Sequence, residues 1–337
     1  MKKTLLVAAG AALVLSLALV GSSGAAPRAT FLASLISDVG KFNDKSFNQN
    51  QLAGLNAAHA KLNVSTLPLQ SNSSSDYLPN LTTAVRRGAN IVMAAGFLLA
   101  KSLGQVAAQF PNVDFTITDD SVHSPDFKGV SVKNIEGLTY ASNEAGCLVG
   151  YLAAEMVKKQ GGKQVIGAVG GLNIPPVNNY IVGYNYCAKQ FNPSIKVLVG
   201  YSNDFVAQDK CKTIALNQIQ QGSKVVFQVA GGCGLGALSA AQQQGVQGIG
   251  VDADQSYLGS FILTSAEKKV DNAVFSAIQS AMHGQFAGGT DVINNIANGG
   301  VSYGTIGPAG LKFSPQIAKI YADIKSGKIS NIPNTVP

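Results

Sequence analysis

Short apolar runs alternate with helical stretches along most of the chain. FLASLIS (31–37), NIVMAAG (90–96), VDFTITD (113–119), QVIGAVGG (164–171), IKVLVGYS (195–202), KVVFQVAGG (224–232) and QGIGVDAD (247–254) are each bounded by glycine or aspartate. Near-continuous apolar character in runs this short predicts strands buried on both faces, as in a parallel sheet covered by helices. Between them, NQNQLAGLNAAHAKL brings Leu52, Leu55 and Leu62 to one helical face. LNQIQQG and ALSAAQQQG both stop on glycine, a common helix end. The repeated β-α-β order predicts the α/β class. The alternation breaks twice, at 121–145 and near 254–305, where the chain is free to cross between two bodies.

The first residues add an export signal. MKKTLLVAAGAALVLSLALVGSSGAAP has two lysines, a long apolar run and a small-residue exit, the layout of a cleaved signal peptide over residues 1–25. A run of that length also suits a membrane anchor, but the lysines and the Ser-Gly-Ala exit favour cleavage. About 310 residues then remain, more than one hydrophobic core usually serves, so two lobes are expected. The formal charge of +7 includes Lys2 and Lys3 of the leader, and the other basic residues are scattered. Without a concentrated basic stripe, nucleic acid is not an expected partner.

Four cysteines, Cys147, Cys187, Cys211 and Cys233, permit two disulfides in three pairings. Cys187 with Cys211 is favoured because the two flank one strand, which leaves Cys147 with Cys233. Four buried free thiols are the alternative.

In open α/β sheets a ligand sits beyond the carboxyl ends of the strands. The polar residues at those ends are Asp38, the Asp119-Asp120 pair, Asn203-Asp204 with Phe205, Gly231-Gly232, Asp252, and Ser265 with Lys268. Together they outline a cleft able to hydrogen-bond a polyhydroxylated solute. The run from Gly232 to Ala237 also fits a dinucleotide-binding glycine pattern, with Asp252 where a ribose-binding acid belongs. Export argues against a nicotinamide cofactor, and no catalytic constellation accompanies the glycines. His59, His123 and His283 lack metal-ligand spacing, and no G-x-S-x-G elbow occurs. No cofactor, metal or enzymatic activity is expected.

The segment DVGKFNDKSFNQNQLAGL, beginning at Asp38, resembles the basic membrane protein family, the PnrA-related solute-binding proteins of ABC transporters that receive purine nucleosides. GGLNIPPVNNYIVGY (170–184), QVAGGCGLGALSAA (228–241), GIGVDADQSY (248–257) and LTSAEKKVDNAV (263–274) extend the resemblance over almost the whole mature chain. It implies a type I periplasmic-binding-protein fold, with two Rossmann-like lobes, three crossings and a nucleoside enclosed between the lobes. The implied lobes are 27–137 plus 264–296, and 138–263 plus 297–337. Carried over, Phe47 stacks on the base, Asp119 reads its polar edge, and Asp252 with Lys268 holds the ribose hydroxyls. Lys269 is the neighbouring alternative to Lys268. Asp38 and Asn43 belong to the opening segment of the site, and Gly231 and Gly232 lie beside it. Phe205 is the second stacking ring, with Tyr201 as the alternative.

The resemblance further implies an ABC permease partner, hinge closure without covalent chemistry and a monomeric protein. No cysteine precedes Cys147, so a free periplasmic protein without a lipid anchor is expected. A sugar or another ribosylated solute is the alternative ligand, and an exported NAD-dependent oxidoreductase is the alternative function.

Overall fold

A computed structural model describes residues 31–334, so the expected leader at 1–25 lies outside the described residues. The chain builds twelve strands and nine α-helices among those residues. In order they are β1 (Leu32–Ser37), α1 (Phe47–Leu62), β2 (Ser65–Leu69), α2 (Tyr77–Arg86), β3 (Ile91–Ala95), α3 (Ala100–Gln109), β4 (Asp114–Thr118) and β5 (Ile135–Tyr140). Then follow α4 (Ser142–Gln160), β6 (Val165–Gly170), α5 (Pro175–Phe191), β7 (Lys196–Tyr201), α6 (Gln208–Gln220), β8 (Val225–Val229), α7 (Gly231–Gln243) and β9 (Gln247–Asp252). The chain closes with β10 (Ile262–Lys268), α8 (Val270–Met282), β11 (Asp291–Asn294), β12 (Val301–Tyr303) and α9 (Ser314–Lys325).

The strands form two six-stranded sheets, β11-β5-β4-β3-β1-β2 and β12-β10-β9-β8-β6-β7. Each is parallel throughout except where β12 runs antiparallel to β10. The two orders match position for position, so β4 in one lobe corresponds to β9 in the other. Central strands β1, β3, β6 and β8 are buried nearly end to end, as their unbroken apolar runs predict. IKVLVGYS departs from that expectation. It forms edge strand β7, half exposed, with Val199 facing solvent. β2 carries Pro68 and takes the corresponding edge of the first sheet, where a residue without an N–H is tolerated.

The exchanges between sheets fall later than the resemblance implied. β5 pairs within the first sheet through Tyr140, and β10 pairs within the second through Glu267 and Lys268. The crossings therefore follow Tyr140 and Lys268 rather than 137 and 263, because main-chain pairing holds each strand to its end. The third crossing lies between β11 and β12.

The disulfides also differ from the favoured pairing. Cys147 bonds Cys187, and Cys211 bonds Cys233. Each bridge joins two neighbouring helices, α4 to α5 and α6 to α7, and no cysteine among the described residues is free. Cys187 and Cys211 lie on helices that cover opposite faces of the strand they flank, so flanking one strand does not bring them together. Glycines let α4 and α5 approach backbone to backbone: a Cβ at Gly146, Gly150 or Gly183 would strike Tyr180 O, Tyr184 O or Asn143 O. This contact buries Tyr180 and Tyr184 against Phe227 in the core of the second lobe.

Candidate functional site

The carboxyl ends of the central strands of both sheets face one cleft with about 580 Å³ of empty space, its solvent-open mouth included. Its lining carries four carboxylates, Asp38, Asp44, Asp119 and Asp252, against a single ammonium, Lys268. Phe47 and Phe205 supply apolar faces.

Asp119 follows β4 and Asp252 closes β9, at corresponding places in the two lobes. Both adopt a left-handed backbone, φ 64° and 63°, a conformation uncommon outside glycine that aspartate tolerates better than most residues. Lys268, at the end of β10, is 2 % exposed and lies between them. Its Nζ donates to both oxygens of Asp119, at 2.9 and 2.7 Å, and stands 3.8 Å from Asp252 Oδ1. The ammonium also lies 5.1–5.3 Å from the ring centroids of Tyr180, Phe47 and Tyr140. At that range each ring face attracts the cation. Asp252 accepts from Tyr180 Oη at 3.1 Å and from Ser46 Oγ at 2.7 Å. Burial raises the Asp119 carboxyl above its ordinary range, and the Lys268 charge opposes that shift.

Across the cleft, Asp38 Oδ1 accepts from Gly40 N at 2.8 Å and from Asn48 Nδ2 at 2.7 Å. Gly40 is required there, because a Cβ would press on Asp38 Oδ1 and Asn48 Nδ2. Burial pushes the Asp38 carboxyl up to about 7, and the nearby Asp44 and Asp119 charges push the same way. Asp44 accepts from the backbone N–H groups of Ser46, Asn48 and Gln49, which satisfies the open donors at the start of α1.

Of the residues expected from sequence, Asp38, Phe47, Asp119, Phe205, Gly231, Asp252 and Lys268 line the cleft together. Asn43 does not: it is exposed, because left-handed residues Lys41 and Lys45 turn the loop so that Asp44 points inward instead. Gly232 is not a lining residue either. It packs under the Phe205 carbonyl and against Asp44, leaving Gly231, with φ 53°, at the surface of the cleft. Tyr201 is diverted to a hydrogen bond with Asn178, and of the two only Phe205 lines the cleft. Lys269 turns away to pair with Glu267. Asp120 caps its own turn through Ser121 and Ser124, and Asp204 pairs with Lys210.

The dinucleotide-like glycines serve packing. A Cβ at Gly234 would strike the Gln228 side chain, one at Gly236 the Gln208 backbone, and Cys233 is bridged to Cys211. Among the described residues no cluster of metal-ligating side chains occurs.

Sequence reasoning missed Asp44, Ser46, Asn48 and Tyr180. Asp44, Ser46 and Asn48 stand in the FNDKSFN run, and spacing alone gives no sign of which polar residue of such a turn faces inward. Tyr180 sits on α5, and nothing in the sequence pattern shows the close α4–α5 contact that aims it at Asp252.

The profile described as ABC transporter substrate-binding protein, PnrA-like, matches residues 32–330. The chain belongs to the Bmp family of PnrA-like ABC transporter substrate-binding proteins. A protein of Lactococcus lactis subsp. cremoris named ABC transporter nucleoside-binding protein BmpA is 33 % identical over 320 residues, covering 88 % of each chain. An uncharacterised lipoprotein of Pyrococcus furiosus is 32 % identical over 282 residues, covering 80 % of this chain and 69 % of its own. A solute-binding protein of an ABC transporter system from Aeropyrum pernix superposes with a TM-score of 0.81 at 24 % identity, covering 90 % of this chain and 94 % of that one. That likeness establishes the type I solute-binding fold.

Substrate-binding proteins of the Bmp family are exported, bind small ligands and work with a permease. No helix among the described residues is long and apolar enough to cross a membrane. The lipoprotein name of the Pyrococcus relative stands against the expectation that this protein lacks a lipid anchor.

Proposed function

We propose that this Bmp-family protein captures a nucleoside, a purine nucleoside foremost, in the cleft between its lobes and delivers it to an ABC permease. One observation carries the reading. The same cleft holds two phenylalanine side chains, Phe47 and Phe205, and a buried knot of Asp119, Lys268 and Asp252. A flat base gains stacked apolar contact from the rings, and the knot offers acceptors and a donor to base edges and ribose hydroxyls. A ligand lacking matching donors would take water from the carboxylates' remaining lone pairs without replacing it, which is the basis of selection. The L. lactis relative's name supports the same reading. Export through the leader-like segment at 1–25, and hinge motion about the three crossings, complete it.

The test is a thermal-unfolding series with purine and pyrimidine nucleosides, free bases, ribose, other sugars and NAD. Ligand that binds only the folded state raises the melting temperature. A rise with purine nucleosides, absent with ribose and reduced in Asp119→Ala, is the expected result. A response confined to a sugar or to NAD would contradict the nucleoside reading.

A further inference from the structure

Ser46 stands one residue before α1, on the side of the cleft built by the first sheet. Its hydroxyl is nevertheless buried against the second lobe, 2.7 Å from Asp252 Oδ2 and 3.1 Å from the Val251 carbonyl. One proton faces two acceptors, and the carboxylate is the nearer and the stronger. The other Asp252 oxygen takes its hydrogen bond from Tyr180, within the second lobe. Each oxygen of this carboxylate is thus held from a different lobe.

A second bond crosses the cleft beside the first. Gln255, fully buried, donates Nε2 to the Lys45 carbonyl at 2.9 Å. Its amide cannot turn over without loss. Oε1 accepts from Gln228 Nε2 at 2.8 Å and from Val251 N at 3.2 Å, while Gln228 Oε1 accepts from Ala230 N at 3.0 Å. On the other side, Lys45 presents its carbonyl from a left-handed backbone, φ 59°, in the turn that Asp44 ties together. Both partners are fixed before they meet, so little ordering cost opposes the bond.

We propose that Ser46 and Gln255 form an interlobe latch, in which Ser46 positions the Asp252 carboxylate from the opposite lobe and the protein itself holds the cleft closed. Ser46 is a positioning residue, and Gln255 is its companion. The ligand-affinity half of this inference rests on the nucleoside reading; the closure half does not. Encounter takes place with the open form, which the latch depopulates in the ligand-free protein, so the latch slows association as well as release.

The test uses spin labels on Lys101→Cys, in α3, and Thr213→Cys, in α6, both exposed positions; the native cysteines are bridged. The interlobe distance is measured without ligand in the otherwise native protein and with Ser46→Ala, Ser46→Thr or Gln255→Ala added. Stopped-flow release of inosine is followed in the same set. The expected result is a short ligand-free distance that lengthens with Ser46→Ala and with Gln255→Ala and is kept by Ser46→Thr. Inosine release should quicken about tenfold in Ser46→Ala, the worth of one hydrogen bond to a charged acceptor, with association quickened and not slowed.

Identical ligand-free distances and release rates in native and Ser46→Ala proteins would overturn the latch. So would weakened binding that arises through association alone. Should no nucleoside bind the native protein, the proposed ligand is wrong, and the ligand-free distances still decide the latch. Should Ser46→Ala fail to fold, Gln255→Ala carries the same comparison.

Discussion

At the scale of single residues, the cleft depends on one cation. Lys268 is buried with Asp119 at 2.7 Å and Asp252 at 3.8 Å, and removing it would strand two carboxylates away from water. Breaking a buried pair by deleting one partner typically costs about 3–5 kcal/mol, whereas removing both partners is far milder. Lys268→Met should therefore lower the melting temperature sharply at neutral pH and recover part of the loss in acid, where Asp119 takes up a proton. Adding Asp119→Asn to Lys268→Met should restore much of the stability without restoring ligand binding. A double mutant no more stable than Lys268→Met alone would mean the lysine acts through packing on Phe47, Tyr140 and Tyr180 instead. Asp119, Asp252 and Lys268 were legible in sequence because each ends an apolar strand, where the chain must emerge beside the cleft. Asn43 was misjudged in favour of its neighbour Asp44, because two left-handed lysines, Lys41 and Lys45, set the turn and nothing in their side chains announces that conformation.

At the scale of elements, the packing of α4 on α5 connects the core to the site. Gly146 and Gly150 face Tyr180 and Tyr184 across a contact with no room for a Cβ, and the Cys147–Cys187 bridge lies in the same contact. The tyrosine whose hydroxyl meets Asp252 is carried on that helix. Gly146→Ala should thus both destabilise the fold and weaken ligand binding, although the residue is far from any ligand contact. A loss of stability with unchanged affinity would confine the contact to a structural role. The Cys147–Cys187 bridge closes 40 residues of sequence separation and Cys211–Cys233 closes 22. On chain-entropy grounds each contributes about 3–4 kcal/mol. Replacing either pair with alanine should lower the melting temperature by on the order of 10 °C. Strand and helix alternation was readable from hydrophobic runs, but the pairing of cysteines was not. It depends on which helices lie side by side on one face of a sheet, and strand-flanking position does not carry that information.

At the scale of the whole molecule, two lobes of matching strand order close over a cleft whose acids outnumber its base. Burial of acids, within the cleft and beyond it, sets a pH dependence. Asp38 and Asp120 are both pushed up to about 7 by burial, against an ordinary value of 3.8. Between about pH 4 and 7 the folded protein keeps protons that the unfolded chain has released, so stability falls as pH rises through that window. Carboxylates shifted the other way, such as Asp204 at about 2, lose their contribution only in stronger acid. The melting temperature should fall from pH 5 to pH 7.5, with a shallower slope in Asp38→Asn; a melting temperature that climbs steadily over that range would contradict the burial of these acids. The class and the two-lobed plan were legible from alternation and length, whereas the closed interlobe contacts through Ser46 and Gln255 were not, because they join residues about two hundred positions apart. The central claim is that the phenylalanine faces and the buried polar knot bind one molecule together. Isothermal titration of adenosine, adenine and ribose against the same protein tests it most directly. Adenosine should bind at least about a hundredfold more tightly than either fragment, a difference of about 2.7 kcal/mol. Ribose binding as tightly as adenosine, or no heat with any nucleoside, would contradict it.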